Sequence, residues 1–159
     1  MELLDPFSRT FLPAVEAARI PVGTANRHID VLRRCAGDRD HVALVALCYR
    51  SHQPLARGRQ GHLLMLTRQR LVVTTFSPVT RRLRLCLNAE LHQLADVTWT
   101  PEPAERAVQL AVTAIDGVRE HFWIRLGCDD QLARLDAVLT DAFRGPWVAP
   151  RVAALEFAA

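Results

Sequence analysis

A chain of 159 residues has room for one ordinary hydrophobic core and not comfortably for two, so a single domain with additions is expected. Half of the residues are hydrophobic and 23% are charged, a globular composition; the longest apolar run, Val42 to Cys48, falls far short of the roughly 18 to 20 residues that span a bilayer. The net charge of +3 at neutral pH conceals a sharp division along the chain.

Residues 41 to 89 hold eight arginines and no Asp or Glu, whereas residues 90 to 159 hold six arginines against eleven acids, and residues 1 to 40 are balanced. Folded as one sheet-based domain, such a chain carries a positive field on one side, which raises encounter rates with anionic partners. Every one of the 20 basic residues is arginine, a bias of G+C-rich coding sequences such as actinobacterial ones. The start MELLDPF carries Glu2 and Asp5 where an export signal needs positive charge and an apolar stretch, so export by that route is not expected. Cys35, Cys48, Cys86 and Cys128 form no C-x-x-C or C-x-x-H pair; buried thiols in a reducing cytoplasm are expected, and neither a metal nor a cofactor is.

Asp5-Pro6 reads as an N-cap with proline at the first helical position, and Phe7, Phe11 and Leu12 share a face. Pro13 should interrupt this helix or restart one. Thr24 is a plausible N-cap for a second helix with Ile29, Leu32 and Cys35 or Ala36 inward, stopped by Gly37. From His41 the pattern turns β-branched and aliphatic: HVALVALCYR as a buried strand, SHQPLARGRQ as a loop, then GHLLMLT and RLVVTTF as a hairpin turning through Thr67 to Arg70. TRRLRLCLN alternates, with Leu83, Leu85 and Leu87 on one face and Arg82, Arg84 and Cys86 on the other. NAELHQ reads as a connection and LADVTWTP as a strand with Val97 and Trp99 inward. ERAVQLAVTA has Val108, Leu110, Val112 and Ala114 on one face, and Asp116-Gly117 is a type I′ hairpin signal into VREHFWIRL. Asp129-Asp130 open a last helix with Leu132, Leu135, Leu139, Ala142 and Phe143 at helical spacing, ended by Gly145-Pro146.

Seven sequential antiparallel strands followed by one amphipathic helix is the order of the pleckstrin-homology superfold. The run Gly61-x-Leu63-Leu64-x-Leu66-Thr67-x-x-Arg70-Leu71-Val72-Val73 resembles the hairpin common to GRAM domains and bacterial PH-like domains. The resemblance covers residues 41 to about 145. It implies an α+β, mainly β fold: a partly open seven-stranded barrel of two near-orthogonal antiparallel sheets, capped by the C-terminal helix. Residues 1–40 form an additional helical segment and residues 146–159 an apolar tail outside the resemblance.

The fold hosts many unrelated binding functions, so residues must choose among them. Phosphoinositide-binding members of the family place basic residues where Arg50, Arg57 and Arg59 fall here, which implies a grip on anionic lipid headgroups, and arginine forks suit that chemistry. Arg68, Arg70, Arg82 and Arg84 extend the charge onto the sheet, where an acidic protein partner would meet it. Nucleic acid ranks behind both, because only Tyr49 and Phe76 supply aromatic rings within residues 41–89 and the two N-terminal helices lack the spacing of a helix-turn-helix. Six histidines stand singly, without metal-ligand spacing, and read as surface or strand residues; no nucleophile-and-base motif is present. The expectation is a cytoplasmic, non-enzymatic module that binds a protein partner or itself through its basic sheet side, its N-terminal helices or the tail GPWVAPRVAALEFAA. Peripheral binding to anionic phospholipids is the alternative.

Overall fold

The structure, a computed structural model, describes residues 5–37, 39–49, 61–127 and 129–143. Helices α1 (Pro6–Ala17) and α2 (Val22–Ala36) precede seven strands: β1 (Val42–Tyr49), β2 (His62–Thr67), β3 (Arg70–Ser77), β4 (Arg82–Glu90), β5 (Ala95–Glu102), β6 (Ala107–Thr113) and β7 (Arg119–Arg125). Helix α3 (Asp129–Phe143) follows. The strands are all antiparallel and run in the spatial order β4-β3-β2-β1-β7-β6-β5. Among the described residues β4 and β5 are therefore free edges, and the sheet is open. The two expected sheets are halves of one ladder, joined where β1 meets β7 at Cys48 opposite Ile124 and Tyr49 opposite Trp123.

Apolar side chains fill both faces of β1 to β3. On the inner face Leu64, Leu66, Leu71 and Val73 meet Val97, Trp99, Val108, Leu110, Val112, Phe122 and Ile124 of the other half, and Leu135, Leu139 and Phe143 of α3 close the core. On the outer face Leu63, Met65 and Val72 lie against Phe7, Phe11 and Val15 of α1 and Leu32 of α2. This explains why LLML in β2 and LVV in β3 read as continuous apolar runs: both faces are covered there. The N-terminal helices are thus a layer of the same folded unit.

Local chemistry starts the helices much as the sequence suggests. Asp5 Oδ1 accepts from Ser8 N–H at 2.8 Å, capping α1, and Gly37 at φ 80° ends α2. Pro13, however, neither stops nor restarts α1; the helix runs through it. Pro13 is exposed, so its ring faces solvent, and α1 is held by burial of Phe7, Phe11 and Val15 on the opposite side. Helix α2 starts at Val22 with Pro21 before it, two residues ahead of Thr24. Thr10 links the layers: its Oγ1 donates to Pro6 C=O at 2.7 Å and accepts from Val42 N–H at 2.8 Å.

Three strand details differ from the sequence pattern. A β-bulge interrupts the β3–β4 register, since Val73 faces Leu87 while Thr74 faces Leu85. Leu87 and Cys86 consequently pack on the inner core, and Leu85 is 50% exposed, so the three leucines do not share one face. Strand β4 also continues through Asn88, Ala89 and Glu90, which read as a connection, because Arg70 pairs opposite Glu90. In the β6–β7 hairpin only Gly117 has positive φ, at 82°, so the turn is not type I′, which needs two such residues; Ala114 and Val118 close a longer loop instead. The end of α3 at Gly145-Pro146 and the apolar tail lie outside the described residues.

Candidate functional site

The arginines singled out in the sequence divide into separate groups. Arg50, Arg57 and Arg59 lie outside the described residues. Arg68 is exposed in the β2–β3 turn, where Thr67 Oγ1 accepts from Gln69 N–H and Arg70 N–H at 3.1 and 2.9 Å. Arg70 is spoken for: its guanidinium donates to Glu90 at 3.2 Å and to Asn88 at 3.3 Å across the strand pair. The acid that neutralises it sits one residue beyond the acid-free span.

Arg82 and Arg84 sit at the other end of β4, Arg82 opposite Ser77 and Arg84 opposite Thr75. The eight residues of β3 from Arg70 to Ser77 separate the two groups by about 23 Å, seven steps at ~3.3 Å each. Among the described residues the basic side is therefore two sites and not one. Arg82 and Arg84 are both exposed, Arg81 beside them holds φ at 51°, and none of the ion pairs among the described residues involves these three. Val79 in the preceding turn is 88% exposed.

The two sheet edges are not equivalent. Strand β5 is blunted by Pro101, which has no N–H to offer, and by a bulge near Asp96, whose C=O accepts from Arg119 at 2.9 Å. On β4 the segment Arg82 to Leu85 is regular, with a bulge only beyond it, so its outward backbone groups remain presented. Among the described residues Arg82 and Arg84 are the charged side chains along it.

A second feature was invisible in the sequence. Where β1 and β7 part, beyond Cys48 and Ile124, a cavity of ≈ 240 Å³ opens between β1, the β7–α3 turn and the end of α1. Ala14, Ala17 and Ala18 give it a small-residue wall, Leu44, Leu47 and Leu135 an apolar one, and Arg19, Arg125 and Arg134 are exposed around it. Among the described residues no carboxylate lines it.

Titratable groups are chiefly structural. Ser8 N–H, the Ser8 hydroxyl and the Arg33 guanidinium at 3.2 Å hold the Asp5 carboxyl below its usual value. His28, taken from sequence as a surface or strand residue, is instead 3% exposed on the sheet-facing side of α2, its Nδ1 2.8 Å from Thr74 Oγ1. Burial, aided by the nearby Arg27 and His62 charges, pushes it down to about 4. Burial pushes the Cys48 thiol up, as it does that of Cys35, so neither is an activated thiolate. Among the described residues no three His, Cys, Asp or Glu side chains converge as a metal site would need, and no helix is long and apolar enough to cross a membrane. No protein-family model matches this chain, and no curated protein aligns with it significantly.

Proposed function

We propose that this chain is a non-enzymatic, PH-like binding module of the GRAM-like kind, working in the cytoplasm, that captures an extended acidic segment of a protein partner along the Arg82–Leu85 edge of β4. The observation that carries the reading is this edge: among the described residues its backbone is unpaired and no carboxylate neutralises the exposed Arg82 and Arg84, and Leu85 and Val79 beside them are exposed. An added strand takes its affinity from main-chain hydrogen bonds and its specificity from alternate side chains. Here the alternates ask for acids opposite the arginines and apolar residues opposite Leu83 and Leu85. The order of seven antiparallel strands followed by one helix supports the family reading.

A second copy of the chain fits this edge less well. Pairing Arg82–Leu85 with itself brings four arginines within cross-strand reach, and pairing centred on Cys86 meets the bulge.

The test is the affinity-purified partner from native lysate, compared between wild type and an Arg82→Glu, Arg84→Glu variant, with capture measured at rising salt. Loss of capture in the variant and weakening with salt are expected. Unchanged capture by the variant removes the β4 reading. Sedimentation with anionic and neutral liposomes supplies the contrast: anionic-dependent pelleting unaffected by the two substitutions transfers the function to phospholipid headgroups and to Arg50, Arg57 and Arg59.

A further inference from the structure

The cavity between β1 and α3 is independent of the β4 edge and is built rather than left over. Gln131 spans it, its Nε2 donating to Ala17 C=O at 3.3 Å while its Oε1 accepts from Gly127 N–H; one side chain thereby ties α1, the β7–α3 turn and α3 together. A Cβ at Gly127 would come within 3.3 Å of that Oε1, a tight contact that the Gln131 side chain would have to yield to. Arg125 is held in place as well: its guanidinium donates to Tyr49 Oη at 3.2 Å and lies 5.9 Å from the ring centre.

Arg19 is the most telling member. It follows the C-cap of α1 with φ at 55°, in the left-handed region that costs a non-glycine residue of order 1 kcal/mol and that helix ends usually assign to glycine. Its N–H donates to Glu16 C=O and that of Ile20 to Val15 C=O, which fixes the turn. This turn brings a cation, the Arg19 side chain, to the cavity beside Ala14, Ala17 and Ala18.

We infer that this cavity binds a small amphipathic carboxylate, with its apolar body against Ala14, Ala17, Ala18 and Leu44 and its carboxylate among Arg19, Arg125 and Arg134. Three arginines, with no acid lining the cavity among the described residues, supply the charge complementarity, and guanidinium forks match a carboxylate bidentately. The volume of ≈ 240 Å³ corresponds to roughly eight water-sized groups, which sets the scale of the apolar body at a medium-length chain.

Decanoate, kept below its micelle-forming concentration, is the probe, with 1-decanol and acetate as controls, read by calorimetry and by the shift of the unfolding temperature. Decanoate is expected to bind and to raise that temperature, decanol to bind at least about tenfold more weakly, and acetate not to register. Arg19→Gly separates binding from folding: relief of the left-handed strain keeps the unfolding midpoint at or above that of wild type, while decanoate affinity falls about tenfold. Ala17→Leu, which fills the cavity, is expected to abolish binding. Absence of decanoate binding, equal affinity for decanol, or undiminished affinity in Arg19→Gly overturns the assignment.

Discussion

Acidification should destabilise this protein through His28. In the folded chain His28 is held neutral down to about pH 4, because its ring is 3% exposed between α2 and β3 with Thr74 as its partner. In the unfolded chain the ring takes up its proton near pH 6.5. Between these values the unfolded state binds a proton that the folded state refuses, so the fold loses stability as pH falls, by up to about 1.4 kcal/mol per pH unit and about 3 kcal/mol over the whole window. That is a sizeable share of the ~5 to 15 kcal/mol typical of a domain. Asp5 acts in the same direction but in a different window: its carboxyl is lowered below 3.8, so its contribution is present above that value and is lost only as pH falls further. Urea unfolding midpoints between pH 7.5 and 4.5 isolate the histidine. His28→Asn keeps a hydrogen-bonding atom near the Nδ1 position and does not titrate, so its stability should be nearly flat across the window where wild type declines. An acid slope of the same size in His28→Asn would refute the argument.

The remaining expectations concern packing and polar links. Leu66→Ala, at a fully buried position of the inner core, should cost about 2 to 5 kcal/mol in urea unfolding, whereas Leu85→Ala, half exposed on β4, should stay within about 0.5 kcal/mol; the strictly alternating reading of β4 would have made it the costlier of the two alternates. Thr10→Val removes the acceptor that Val42 N–H uses and should destabilise by about 1 to 3 kcal/mol, visible as a lower urea midpoint. Asp136→Ala takes the partner from Trp99 Nε1, 2.8 Å away, and should both lower the thermal midpoint by roughly 1 kcal/mol in stability and change the tryptophan emission. Arg70→Ala should cost less than about 1 kcal/mol, since its pair with Glu90 is partly solvated, and the loss should shrink further in high salt.

Much of the fold was legible because local signals agreed with tertiary burial. Val97 and Trp99, Val108, Leu110 and Val112, and Leu135, Leu139 and Phe143 all face the inner core as their period-2 or helical spacing implies. The failures have identifiable causes. Pro13 is a breaker only where a helix must use the missing N–H, and here buried aromatic residues on the far side of α1 outweigh it. The alternation along Arg82 to Asn88 was broken by a bulge that no residue announces. His28 looked solitary because its partner, Thr74, lies 46 positions away.

The site follows the same division. Charge counting along the chain found Arg82 and Arg84, since they are neighbours on one strand and their exposure follows from its alternation. It could not tell that Arg70 is neutralised, because Glu90 comes opposite it only through the β3–β4 register. The cavity was wholly out of reach. Arg19, Arg125 and Arg134 belong to α1's end, β7 and α3, and nothing in their local sequence distinguishes them from other solvated arginines. Element types, their order and the acid-free stretch follow from the residues alone, because propensity, periodicity and composition act over neighbouring positions. Which charges stay free, which edge stays open and which arginines share a cavity were decided by contacts between residues far apart in the chain, and those exist only once the sheet has folded.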